Sequence, residues 1–187
     1  MSTGAPIASS NAHTIPGREC GSCSMCCKVY NIPEINKVAG KWCTHCKPGK
    51  GCVIHDALPN QCAEFNCLWR TQETIGPAWK PDQAKMVLTA SPLNGYIYVQ
   101  VDAAAPSAWQ KQPYYGQLHQ WAKNNLQKGI YVIVFVNDNA TLIMPDQDVP
   151  LGRMLPTDGL AVRRNGNAYE ARLIPGGAAM PPMPAPG

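Results

Sequence analysis

The stretch PYYGQLHQWAKNNLQKGIYVIVFV, residues 113–136, decides the fold. Pro113 suits the first turn of a helix, where its missing N–H is not needed. Tyr114, Leu118, Trp121 and Ala122 follow at i, i+4, i+7 and i+8, which is one face of a helix. Lys128 and Gly129 end it, because a cation suits the carbonyl end and glycine accepts the left-handed cap. Ile130–Val136 is then a continuous apolar run of strand length.

Working outward, the flanking segments also read as strands. Lys85–Ala90 and Tyr96–Val101 are separated by Ser91-Pro92-Leu93-Asn94-Gly95, which is turn material, and Ile97, Val99 and Val101 share one face. Asn137-Asp138-Asn139 turns the chain into Thr141–Met144. Leu160–Arg164 and Ala168–Ile174 flank Asn165-Gly166-Asn167, a hairpin signal. The expectation for residues 84–174 is therefore an α+β domain, an antiparallel sheet carrying one principal helix.

Toward the N-terminus the physics changes. Residues 18–80 are rich in Cys, Gly, Pro and Lys, with large aliphatic residues scattered and not periodic. A module of roughly 60 residues with this composition buries little apolar surface and needs staples. Structural zinc can supply about 10–16 kcal/mol of apparent binding energy to such a unit. The ends, 1–17 and 175–187, lack core-forming material and are expected to be disordered tails; the second holds five prolines and three glycines.

Nine cysteines carry the functional signal: Cys20, Cys23, Cys26, Cys27, Cys43, Cys46, Cys52, Cys62 and Cys67. In a reducing compartment such a block points to metal, and an odd count suits a fully paired disulfide scaffold badly. The first block is Cys20-Gly-Ser-Cys23-Ser-Met-Cys26-Cys27. Two residues between cysteines let a tight turn aim both sulfurs at one ion, which serves zinc and iron–sulfur clusters alike. If the block is helical, Cys20, Cys23 and Cys27 share a face and Cys26 points aside. The run matches the start of a bacterial ferredoxin motif but lacks its fourth cysteine followed by proline, leaving open a four-iron cluster with a remote ligand. The second block, Trp42-Cys43-Thr-His45-Cys46-Lys-Pro-Gly49-Lys-Gly51-Cys52, reads as a metal-binding knuckle whose glycines permit a left-handed turn. Cys62 and Cys67 complete the set. Nine thiols exceed the eight of two four-thiolate sites, so one is spare or bridging, and Cys26 or Cys27 is the natural candidate.

This pattern resembles the YkgJ-type cysteine-cluster family, which carries a CxxCxxCC zinc- or iron-chelating domain. The resemblance rests on the first block, on Gly51-Cys52-Val-Ile, and on Pro59-x-x-Cys62-x-x-Phe65, covering about Cys20 to Trp69. It implies Cys20, Cys23, Cys26, Cys27, Cys52 and Cys62 as core ligands, one of Cys43 or Cys46 as a further one, and Cys67 as the ligand of versions ending in Phe-x-Cys. His55 stands where the family often has Tyr, and Leu58-Pro59 where it often has Arg-Pro. The family implies metal chelation and no settled reaction.

His45 is expected to be a solvent-facing spacer, His55 competes as a ligand, and His119 is expected on the helix surface. Trp42, Trp69 and Trp79 are expected to cover a small core. Asp138, Asp146, Asp148 and Asp158 fall in expected turns. The formal charge of +4 falls to about zero once two zinc ions and eight thiolates are counted, so Lys28, Lys37, Lys41, Lys47 and Lys50 read first as charge compensation. No apolar run approaches the ~18 residues of a membrane span, and no charged region leads into an apolar leader, so a cytoplasmic protein that does not engage membrane is expected. The leading expectation is a protein chelating zinc or iron, including a 4Fe-4S cluster, without a defined reaction. Two alternatives stand beside it: an iron–sulfur redox or protein-modifying module, and a zinc module binding nucleic acid or a protein partner.

Overall fold

The computed structural model describes residues 14–54, 57–155 and 157–176. His55 therefore lies outside the described residues, as do 1–13 and 177–187 of the expected tails. The chain is anchored earlier than Arg18: Ile15 N donates to Arg70 O at 2.9 Å, and Arg70 Nη2 donates to Thr14 Oγ1 at 3.1 Å.

The N-terminal half is built of short pieces: α1 (Cys26–Val29), a two-stranded ribbon of β1 (Cys46–Lys47) and β2 (Gly51–Cys52), then α2 (Asn60–Ala63), α3 (Leu68–Thr71) and α4 (Pro81–Ala84). The second half follows as β3 (Met86–Ala90), β4 (Ile97–Val101), α5 (Tyr114–Asn125), β5 (Val132–Val136), β6 (Asn139–Ile143), β7 (Asp148–Arg153), β8 (Gly159–Asn165) and β9 (Ala168–Ile174). Gly129, at φ +67°, stops the 3-10 turn that extends α5, as its sequence position requires.

The α+β class holds, with a five-stranded sheet in the order β3-β4-β5-β6-β7 and one main helix. The sheet is not wholly antiparallel. β4 pairs β5 in parallel, with Val99 opposite Val134, while the other three pairings are antiparallel. The cause is the connection: the chain leaves Val101, crosses through α5, and re-enters in the same direction, as a helical crossover allows and a short hairpin does not. β5 thus becomes the central strand, buried on both faces, which is why residues 130–136 show no alternation.

Strand β7 was not expected from the sequence, because Pro150 and Gly152 interrupt its pattern. Proline is tolerated there because β7 is the sheet edge, and the register shifts between Ala140 and Thr141 so that Gly152, at φ +73°, forms an irregularity. The β8–β9 hairpin forms a separate two-stranded sheet, closed by Gly166-Asn167. It covers one face of the main sheet through Leu160, Val162 and Leu173, against Ile133, Phe135 and Leu142.

The opposite face carries the core that joins the two halves. Met25, Val29, Cys67, Leu68, Trp69 and Trp79 pack in one cluster with Met86, Leu88, Val99, Val101, Val134, Leu118 and Ala122. Trp79 sits 4.9 Å from the rings of both Tyr114 and Trp121, and its indole N–H donates to Gln117 Oε1. Trp69 and Trp79 are thus core residues as expected, whereas Trp42 is 42% exposed. Its ring is covered on one side by the Lys28 ammonium, 5.5 Å from the ring centre.

His119 is not a surface residue. Its Nδ1 lies 2.6 Å from Met144 O and its Nε2 3.2 Å from Asp148 Oδ1, and Asp148 also accepts from the Tyr115 hydroxyl at 3.0 Å. Asp148 accordingly opens a strand and not a turn. Among the described residues no helix is long and apolar enough to cross a membrane.

Candidate metal centre

The first cysteine block begins as a tight turn and ends as one turn of helix. Cys23 N donates to Cys20 O at 2.7 Å, closing the Cys-x2-Cys turn. Val29 N then donates to Met25 O, and both these side chains are buried in the core. Four residues apart, Met25 and Val29 fix the inward face of the turn, and the adjacent Cys26 and Cys27, expected to diverge, instead have thiols in hydrogen-bond contact on the same cavity wall.

The second knuckle is pinned to the first. Cys43 N donates to Cys27 O at 3.0 Å, and Cys46 N donates to Cys43 O at 3.0 Å. Cys46 then stands opposite Cys52 in the β1–β2 ribbon. The ribbon needs its glycines: Gly49 has φ +76° and Gly51 φ +96°, a region costly for side chains with a Cβ. Gly49 N also donates to Ser24 Oγ at 3.1 Å, joining the ribbon tip to the first loop.

Cys62 is carried on α2, whose first N–H groups are held by Glu34: its carboxylate accepts from Asn60 N and Gln61 N, each at 3.0 Å. Cys67 precedes α3 and is buried. The guanidinium of Arg18 holds the segment after it, donating to the carbonyls of Trp69, Gln72 and Ile75 at 2.8, 3.1 and 2.7 Å.

All nine cysteines are free thiols. Seven of them, Cys20, Cys23, Cys26, Cys27, Cys43, Cys52 and Cys62, line one cavity of about 370 Å³, together with His45. Cys46 adjoins this group through contact with the Cys27 thiol. His45, expected to face solvent, is half-buried on the cavity wall. A second cavity of about 50 Å³ is lined by Cys67, and Cys20, Cys23 and Cys26 border both. Arg70 also borders both, so an arginine reaches the cysteines from a position other than the Arg-Pro site, where Leu58-Pro59 stands.

The thiols line walls instead of meeting at a point. Among the described residues no three His, Cys, Asp or Glu side chains are gathered closely enough to hold one ion. Sulfur and one imidazole are the donor types that soft metals take.

The surroundings of Cys23, Cys27, Cys46, Cys62 and Cys67 favour the neutral thiol. The hydrogen bond between Cys26 and Cys27, together with burial, holds the Cys27 thiol well above its ordinary range. Burial pushes Cys46 up to about 11, with the neighbouring Cys27 adding to it, and burial likewise pushes Cys67 up to about 11. Burial also raises Cys23 and Cys62. A cation binding here would displace protons from these sulfurs.

Lys37 was expected only as one of several compensating lysines, and its position is specific. It is 6% exposed, and its Nζ donates to Lys28 O at 2.8 Å and to Tyr30 O. Burial lowers its affinity for the proton, while Cys43, Cys27, Cys26 and Cys62 act in the opposite sense. No sequence pattern marks it, because its role depends on the carbonyls that the fold brings to it. No family model, curated protein or solved structure matches this chain.

Proposed function

We propose that this protein binds zinc or iron through the thiolates around the larger cavity, with metal as its ligand and no reaction assigned to it. The observation that carries this reading is the gathering of seven cysteines, drawn from three separate sequence blocks, onto one cavity. Chain segments more than 40 residues apart contribute thiols to the same wall, which a set of unrelated structural cysteines would not require. The buried Lys37 ammonium nearby supplies positive charge suited to a thiolate centre. The likeness of the cysteine spacing to YkgJ-type proteins points the same way.

A second reading, an iron–sulfur centre in place of single zinc ions, is favoured by the size of the cavity. About 370 Å³ far exceeds the roughly 10–15 Å³ a single water needs, so a multi-atom cluster would fill it better than one ion. Such a cluster would supply electron transfer at a potential set by its hydrogen bonds and exposure.

Anaerobic purification with zinc and iron both supplied, followed by metal and sulfide analysis and a visible spectrum, tests the proposal. Stoichiometric iron and sulfide with broad absorption near ~400 nm supports the cluster. Zinc without colour supports thiolate-bound single ions. Protein that carries neither metal overturns the proposal.

A further inference from the structure

The ribbon of β1 and β2 sets two thiols directly across from each other. Cys46 and Cys52 are register partners in an antiparallel pair, with Lys47 opposite Gly51 beyond them. Val53 N donates to His45 O at 2.8 Å, which places the hydrogen-bonded exchange on the flanking pair, His45 with Val53. Hydrogen-bonded and non-hydrogen-bonded pairs alternate along an antiparallel ribbon, so Cys46 and Cys52 form a non-hydrogen-bonded pair. The turn beyond them is closed by Lys50 N donating to Lys47 O at 2.8 Å, which fixes this register.

A non-hydrogen-bonded pair holds its Cα atoms about 4.5 Å apart with both side chains on one face. A disulfide spans Cα separations of about 4.4–6.8 Å, so the ribbon backbone meets its requirement without moving. The adjacent Cys26 and Cys27 do not, because a trans peptide holds their Cα atoms about 3.8 Å apart. The turns at Cys20–Cys23 and Cys43–Cys46 bring thiols near each other, but no strand register faces their side chains together.

We propose that Cys46 and Cys52 are a site of reversible oxidation, closing a disulfide across the ribbon by exchange with a small disulfide such as oxidised glutathione. Cys52 is half-buried where Cys46 is buried, so the reagent meets Cys52 first. The Cys52 sulfur bonds to one sulfur of the reagent, whose S–S bond breaks and releases one molecule of its thiol. The Cys46 thiol rests against Cys27 in this structure, and a rotation about its Cα–Cβ bond turns it to the facing side chain. Its sulfur then bonds to the Cys52 sulfur and releases the second molecule of reagent thiol. The two protein thiols lose two electrons and two protons, and the reagent disulfide leaves as two thiols. Cys52 lines the larger cavity, so the cross-link withdraws its sulfur from that wall. On the proposal that this cavity binds metal, oxidation and metal compete for Cys52; the cross-link itself does not depend on metal.

The test uses the full chain, reduced, metal-free and anaerobic, incubated with oxidised glutathione, quenched in acid and alkylated. Trypsin cleavage after Lys41, Lys50 and Arg70 puts Cys46 on the peptide 42–50 and Cys52 on 51–70, and fragmentation locates the bond. The expected result is a linked pair of these peptides bonded Cys46 to Cys52, with both thiols lost to alkylation and regained after dithiothreitol. Cys46→Ser should stop at the mixed disulfide on Cys52; the mapping on the unmutated chain stands whether or not that variant folds. A chain in which Cys46 and Cys52 stay alkylatable, or in which Cys46 is bonded to Cys27 or Cys43, overturns the proposal. Zinc added beforehand should slow the cross-link. A cross-link that forms as fast with zinc as without it upholds the oxidation site and overturns only the competition with metal.

Discussion

Lys28 Nζ lies 2.7 Å from Asp102 Oδ2, and this ion pair ties the cysteine doublet to the end of strand β4. Lys28 directly follows Cys27, and Asp102 directly follows Val101. Both side chains are largely withdrawn from water, at 16% and 7% exposure. Asp102 also accepts from Ala104 N at 3.0 Å, and its own N–H donates to Lys85 O. The cysteine loop is therefore positioned by the sheet as well as by its own knuckles.

Removing one partner of this pair leaves the other charge poorly solvated. Asp102→Ala is expected to cost about 3–5 kcal/mol, as for other largely buried pairs broken on one side. Lys28→Met paired with Asp102→Leu should recover part of that loss, because neither charge is then left alone. Urea denaturation of the three proteins checks this. A loss below about 1 kcal/mol for Asp102→Ala would show that the pair is solvated and worth no more than a surface bridge.

Trp79 offers a test of how the two halves are joined. It is 1% exposed and wedged between Tyr114 and Trp121 of α5, although it belongs to the segment before the sheet. Trp79→Ala should cost about 3–5 kcal/mol through the cavity it leaves. Since the cluster around it includes Met25 and Leu68 as well as Val99 and Leu118, both halves should unfold together. Far-ultraviolet circular dichroism and thiol reactivity, followed through the same denaturation, should give coincident midpoints. Thiols exposed well before the sheet melts would mean that the cysteine half unfolds on its own.

The same core shows where sequence reading stops. Helix α5 was legible because Leu118 and Ala122 keep helical spacing, and β5 because seven apolar residues leave few alternatives. Its parallel pairing with β4 was not legible, because strand direction depends on how the crossover returns, and no residue in either strand records that. β7 was hidden by Pro150 and Gly152, residues that usually break strands and are accepted here at an edge. In the site, spacing alone brought Cys20 toward Cys23 and Cys43 toward Cys46. It could not show that Cys62 and Cys67, five positions apart, would border different cavities, since Cys62 is carried within α2 and Cys67 at the start of α3.

Lys37 should matter to the stability of the cysteine-bearing turn. Its ammonium satisfies the carbonyls of Lys28 and Tyr30, which frame the helical turn bearing Cys26 and Cys27. Lys37→Met keeps much of the stem and removes both donors, so a loss of about 1–3 kcal/mol is expected from the unpaired carbonyls. The metal-free protein, unfolded in urea, isolates this contribution from any effect on metal. An unchanged midpoint would place the ammonium in solvent and remove it from the account of the site.

The tyrosines on the far side of the sheet set an alkaline limit that is independent of metal. Burial pushes the Tyr96 hydroxyl from an ordinary value of 10.0 up to about 12, with Tyr131 and Tyr98 acting in the same direction. Burial raises Tyr131 as well. A folded pKa above the unfolded one means that the unfolded chain releases its proton first as pH rises. The stability tied to Tyr96 is therefore fully present below about pH 10 and is lost as pH climbs through about 12. Tyr96→Phe removes only the hydroxyl, so the variant should lose thermal stability less steeply across that window. The raised thiols add a slope of the same sign to both proteins, and the difference between the two melting profiles isolates Tyr96. Parallel profiles from pH 9 to pH 12.5 would show that its hydroxyl ionises as freely in the fold as in the unfolded chain.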